Sequence, residues 1–418
     1  MTGFAAFVRA AHAAGQLVVQ PRMGFSDPAR MRAGLVATRR AHATTVGTVT
    51  LDSYTRVGDY AAVLAAAAEG TPLNGYPIVT TDHATTRHVL SDAAAHGFPV
   101  QVRHGSPLPG DIVDALVALG LDATEGGPVS YCLPYSRVPL RESVTAWARC
   151  VEAFAAAPGE PHLESFGGCM LGQLCPPSLL VALTVLEGLF FRRCGIASMS
   201  LSFTQQTSAE QDAEALRALG RIAADLLPDV DHHIVVYAYM GVHPRTEAGS
   251  LALLADATRL AVRGGAARLI VKTPAEAHRI PTIAENVASL EHAAAAARAV
   301  APEAPAIVDT GVEAEARTLI AAVLDLHDDV GEALVRAFAS GVLDVPYCLH
   351  DDNAGRARAH VDGRGWLRWS SVGSMPIARP DRDLRPVTSG ALLDYLHRVE
   401  QRYDHPVLTN DTPTAVLS

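Results

Sequence analysis

Short apolar runs alternate with longer, alanine-rich stretches of helical period along most of the chain. Each run stops at a glycine, a proline or a charged side chain. Extended candidates fall at residues 16–22 (QLVVQPR), 44–51 (TTVGTVTL), 74–79 (NGYPIV), 98–102, 122–125, 162–168 (HLESFGG), 197–204, 232–241 (HHIVVYAYMG) and 267–274 (ARLIVKTP). Helical patterns fill residues 60–69, 83–95, 140–156 and 178–193, and a further one joins the run ending at Arg103 to the run ending at Glu125. A crossover that short joins parallel strands, so Arg103 and Glu125 are expected to leave the same edge of one sheet. The repeated alternation predicts an α/β fold, a (β/α)8 TIM barrel whose chemistry sits at the C-terminal ends of the strands. Nine candidates compete for about eight places in such a ring, so the piece near 162 or the piece near 74 is expected outside it. An open doubly wound sheet is the alternative fold, but no G-x-G-x-x-G follows the first strand. The barrel is placed in residues 1–310. A smaller C-terminal α+β subdomain of helices and a hairpin, packed on the barrel, is placed in 311–418, its tail frayed beyond residue 407.

Composition narrows the function more than the fold. A chain of 418 residues, 49% hydrophobic, has ample apolar surface for one barrel and additional elements. A formal charge of −10 and the lack of a dense basic face exclude a nucleic-acid-binding surface. The start, MTGFAAFVRAAHAAGQ, has no secretory pattern. The longest apolar run, residues 178–191, contains Glu187 and falls short of the roughly 20 residues a membrane span needs. The expectation is a soluble, cytoplasmic protein. Its six cysteines form no C-x-x-C pair and read as reduced thiols. Among 34 basic side chains Lys272 is the sole lysine, where chance replacement would have favoured arginine. A compact ammonium does what a planar guanidinium cannot, so Lys272 reads as functional.

Arg22, Arg56, Arg103, Glu125, Tyr131, Tyr135, Lys272 and Glu276 all fall at the ends of extended candidates. Three guanidinium groups converging on one mouth repel each other unless anions lie between them, and each fork matches a carboxylate. Glu125 adds an acceptor for an ammonium, so the implied ligand is a small amino dicarboxylic acid. Taken singly, each arginine has an ordinary explanation as the partner of a neighbouring helix's carboxylate. Glu276 completes a capping box with Thr273 and Pro274, which is its structural explanation. Met240 at a strand end is more often core than ligand contact. His83, His88, His232 and His233 lack metal-binding spacing, and no metal site is expected.

The segments QPRMG, DSYTR, LNGYP, QVRHG, TEGGPVSYCLPY, LCPPS, YMG, VKTPAEA-x-x-IPT and DNAG, in this order, resemble the large (epsilon) subunit of adenosylcobalamin-dependent glutamate mutase, or methylaspartate mutase. The resemblance implies a TIM barrel that binds L-glutamate, with the cobalamin and its cobalt carried by a separate small (sigma) subunit. It also implies a homodimer of this chain within a heterotetramer. Residue by residue, it makes Arg22, Arg56 and Arg103 the grip on the carboxylates. Glu125 becomes the partner of the amine, and Tyr131 and Tyr135 substrate contacts, with the catalytic assignment falling on Glu125 and Arg103. Lys272 and Glu276 would hold the ribose of the adenosyl group, with Met240, Asn74 and Asn353 on the cofactor side. The D-x-H-x-x-G motif of cobalamin-binding chains is absent, since Val236 stands where Asp231-His232-His233 would need the glycine. The implied reaction is the radical rearrangement of L-glutamate to (2S,3S)-3-methylaspartate. Two other classes remain: a class I aldolase-type lyase with a Schiff base on Lys272, and a non-catalytic amino-acid-binding barrel.

Overall fold

The computed structural model describes residues 3–301, 308–380 and 387–410. Eight parallel strands form the ring: β1 (Val18–Gln20), β2 (Gly47–Thr50), β3 (Val100–Arg103), β4 (Ala123–Gly126), β5 (His162–Ser165), β6 (Ser198–Thr204), β7 (Asp231–Tyr237) and β8 (Arg268–Ile270). Neighbours in sequence are neighbours in the sheet. β8 returns to β1 in the register Val18↔Arg268, and a bridge between Val19 and Thr45 joins β1 to the run entering β2. The ring is thereby closed, and the open doubly wound alternative is excluded. The piece near 162 is β5. The piece near 74 lies outside the ring, touching it through a bridge between Leu51 and Tyr76. The reason is local: Gly75 sits so close to the end of β2 that an added Cβ would fall 2.4 Å from the Leu51 backbone. This segment therefore extends the C-terminal edge of β2 and occupies no place of its own.

The middle of the barrel is polar, although such interiors are usually filled with branched aliphatic side chains. Gln20, Thr48, Gln101, Glu164, Ser200 and Arg268 are all fully buried there. Gln20 donates to Gln101 at 2.7 Å and Thr48 at 3.0 Å, and the Arg268 guanidinium pairs with Glu164. A buried ion pair is tolerated when its remaining hydrogen bonds are satisfied, and Ser200 completes this one by donating to Glu164 at 3.0 Å. Arg268 also donates to His233 Nε2 at 2.9 Å, which keeps that ring neutral. Burial and the adjacent Arg268 hold His233 well below the usual imidazole range.

Beyond the ring, helices Val312–Leu324 and Val330–Ser340 pack on helices Pro177–Arg193 and Leu140–Ala155 of the barrel wall. β9 (Ala357–Val361) and β10 (Leu367–Val372) form an antiparallel hairpin, and helix Ser389–Asn410 lies on helix Glu247–Arg263. Leu319, Phe338, Leu343 and Trp369 join Leu183 and Leu219 in one continuous apolar core, so this portion shares the barrel's interior packing. The chain beyond residue 407 continues as helix to Asn410, and the rest of the tail lies outside the described residues. No described helix is long and apolar enough to cross a membrane.

Candidate active site

The C-terminal edge of the ring is built by local signals at successive strand ends. After β2, Asp52 caps helix Ser53–Val57 by accepting the Tyr54 and Thr55 amides, both at 2.9 Å. That turn carries Arg56 back over the strand, where its Nε and Nη2 donate to the Leu51 carbonyl at 3.0 and 2.8 Å. β3 ends on Arg103 and β4 places Glu125 beside it, at 2.7 Å from Arg103 Nε. Both side chains are nearly inaccessible. After Glu125 the chain reverses at Gly126, whose φ of +139° suits only glycine and where a Cβ would strike Trp147 and Tyr131. The reversal aims the Tyr131 hydroxyl at Glu125 Oε1.

Glu125 thus accepts from Arg103, Tyr131 and Tyr237, the last at 2.7 Å. The Tyr237 hydroxyl also contacts Glu164, and so connects the site to the buried Glu164–Arg268 pair below. Burial alone would lower the Arg103 pKa; Glu125, Tyr237 and Tyr131 outweigh it and hold the guanidinium firmly charged. Arg56 is lowered by burial, and the neighbouring Arg103 and Arg22 add to the shift. Burial pushes the Tyr131 hydroxyl well above the usual phenol range, so it is a donor at any working pH. His104 packs edge-on against Tyr131 and stacks on Trp147. Burial, with Arg56 adding, lowers its pKa to about 3, so the ring is neutral.

Arg22, Arg56, Arg103, Glu125, Tyr131, Tyr135 and Met240 line one cavity of about 290 Å³, with Phe166 and Thr50 among its walls. Arg22 and Thr50 also line the adjoining cavity of about 610 Å³, together with Lys272, Glu276 and Asn74. Glu276 serves both: Oε1 accepts the Thr273 amide at 3.1 Å, as a helix cap does, and Oε2 meets Arg22 Nη1 at 3.2 Å. Burial lowers the Lys272 ammonium to about 8; Glu276 opposes the shift and Arg22 adds to it. Across the two cavities five cationic side chains, Arg22, Arg56, Arg103, Lys272 and Arg279, face two carboxylates, an excess that favours an anionic ligand.

All the residues singled out at strand ends therefore meet at this edge. Asn353 does not. Its carboxamide is consumed by the backbone, accepting the Val345 amide at 2.8 Å and donating to the Val345 and Cys348 carbonyls at 3.0 and 3.2 Å. It clasps a loop and lines neither cavity. Conversely, Tyr237, Glu164 and Arg268 belong to the network that holds Glu125, and the sequence signalled them only as alternate positions within strands. No cluster of His, Cys, Asp and Glu suited to a metal lies among the described residues.

Fold and site together define an α/β barrel with a cation-rich cavity at the C-terminal edge of its ring and a second chamber at its mouth. The chain belongs to the methylaspartate mutase E chain (MutE) family, whose model matches residues 1–388. A mutase function follows from that membership. It is 33% identical over 371 residues to the glutamate mutase epsilon subunit of Halobacterium salinarum, covering 83% of this chain and 77% of that one. It is 31% identical over 350 residues to the epsilon subunit of Desulfitobacterium hafniense, covering 79% and 72%. To that of Escherichia coli O157:H7 it is 31% identical over 359 residues, covering 80% and 73%. The word subunit in these names describes a multi-chain enzyme.

Proposed function

We propose that this chain is the substrate-holding subunit of a mutase that interconverts L-glutamate and (2S,3S)-3-methylaspartate, working with a separate cobalamin-carrying small subunit. The observation that carries the reading is the convergence of Arg22, Arg56 and Arg103 with Glu125 and Tyr131 around one cavity of about 290 Å³. Guanidinium forks grip both carboxylates of the amino acid through paired hydrogen bonds. Glu125, already oriented by three donors, takes the ammonium and either orients it or accepts its proton. Arginine offers no easily abstracted proton or redox reaction, and Phe166 and Met240 supply an apolar wall. Holding both ends of the molecule keeps the fragments of a rearrangement in register, and a partner covering the mouth would exclude water.

The adjoining cavity suits an adenosyl group. Lys272, Glu276 and Asn74 offer donors and acceptors for ribose hydroxyls, next to the substrate chamber and separated from it only by Arg22 and Thr50. When bound there, adenosylcobalamin supplies a carbon-centred radical for hydrogen abstraction from the substrate. The test is to combine this chain with a cobalamin-carrying small subunit, adenosylcobalamin and L-glutamate. Paramagnetic resonance then reports a radical pair and product analysis reports methylaspartate; the absence of both sinks the proposal.

Lys272 at about 8 gives one specific observation to a second reading, a Schiff-base lyase. Borohydride trapping with carbonyl substrates yields a covalent adduct under that reading and none under ours. A non-catalytic binder would bind L-glutamate in calorimetry yet never generate the radical signal.

A further inference from the structure

Helix Pro177–Arg193 carries one ionisable side chain before its final arginines, Glu187, and that side chain is fully buried. A buried carboxylate ordinarily has a cationic partner, and among the described residues none pairs with this one. Its two oxygens are filled by four neutral donors. Oε1 accepts the amides of Val129 at 3.2 Å and Ser130 at 2.9 Å. Oε2 accepts the hydroxyls of Ser130 at 3.0 Å and Ser165 at 2.9 Å. The carboxylate reaches these amides because Gly127 lets it: an added Cβ there would fall 2.0 Å from Glu187 Oε1. Directly above, the Tyr131 amide closes the turn on the Gly127 carbonyl at 3.1 Å, and the Tyr131 hydroxyl then meets Glu125. So Glu187 ties the turn that delivers Tyr131 to the end of β5, where Ser165 stands.

We propose that Glu187, in its charged form, is the positioning residue of the substrate site: it holds the 127–131 turn so that Tyr131 orients Glu125 toward the amine of the bound amino acid. This rests on Glu125 being the partner of that amine. Carboxylates on the elements that pack against this helix or build the site have their own partners. Glu125 is held by Arg103, Glu164 by Arg268, Glu214 by Thr310 and Val312, and Glu315 by Ser178 and Trp369. Tyr131 and Cys169 are neutral at working pH, burial raising both. Burial raises Glu187 itself to about 7, so its charge is lost just below neutrality, whereas Lys272 stays cationic there.

Titration calorimetry of the full chain with L-glutamate at pH 6 and pH 8 tests this, using wild type, Glu187→Gln and Ser165→Ala, with melting temperatures alongside. Glutamine keeps one acceptor for the two amides but replaces charge-assisted bonds by neutral ones, so Glu187→Gln binds about tenfold more weakly at pH 8. Its melting temperature is expected to be unchanged or higher, which a merely structural role would not give. Wild type weakens from pH 8 to pH 6 while Glu187→Gln stays flat, and Ser165→Ala weakens binding less than the glutamine change. Equal affinity of Glu187→Gln and wild type at pH 8, or the same pH course in both, overturns the inference alone. A wild-type chain that fails to bind L-glutamate at pH 8 overturns the functional reading together with it.

Discussion

At the scale of single residues, the site is a balance of buried charges. Arg103 and Glu125 pair at 2.7 Å while nearly excluded from solvent, so each depends on the other. Arg103→Lys keeps the charge but loses the fork, and is expected to weaken L-glutamate binding about 10- to 100-fold in calorimetry. Lys272 is cationic below about 8, so the ribose contact proposed for it weakens as pH rises through that value. The KM for adenosylcobalamin of the assembled enzyme should rise above pH 8 in wild type and lose this dependence in Lys272→Met. Glu187 has the opposite linkage. Its folded pKa of about 7 lies above the ordinary value of 4.5, so its contribution to stability is full below 4.5 and lost as pH rises through 7. The stability of wild type relative to Glu187→Gln should therefore fall by up to about 3 kcal/mol between pH 5 and pH 8 in denaturant titrations.

At the scale of elements, the turn after β4 decides most. Gly126 is required by its φ of +139° and Gly127 by the carboxylate beneath it. Gly127→Ala is expected to lower the melting temperature and abolish L-glutamate binding, whereas Gly110→Ala, whose added Cβ meets nothing within 4 Å, leaves binding intact and serves as control. A result in which both variants bind alike would show that the turn can shift. The β4 turn was partly legible: TEGG announces a strand that stops and reverses, and the run at 178–191 was interrupted only by Glu187. What joins them was not legible, because the residues are 57 and 58 positions apart and meet only when the helix packs behind β4 and β5.

At the scale of the molecule, the ring collects side chains from seven strand ends into two adjoining chambers, and the C-terminal helix secures one of their loops. Asp404 accepts the Arg245 and Thr246 amides at 2.8 and 3.1 Å, pinning the segment after β7. The mouth chamber of about 610 Å³ lies at the edge that the cobalamin-carrying partner proposed above would cover. The isolated chain is accordingly expected to show no turnover with adenosylcobalamin and L-glutamate, and adding a small subunit should restore it. Measurable methylaspartate formation by the chain alone would contradict this.

Local period is written in the sequence, so the alternation of strand and helix, the strand ends and the arginines, glutamate and lysine placed on them could be read before any coordinates. The motifs carried the family as well. Three matters waited for the closed ring: which of nine extended pieces belonged to it, what Asn353 does with its carboxamide, and how Glu125 is held. Each depends on partners far apart in the chain, as when Arg268 meets Glu164 across 104 positions. Sequence fixes which groups can donate, accept or carry charge; only the packing of the barrel selects the partners, because hydrogen bonds and ion pairs are decided by proximity in space and by exclusion of water.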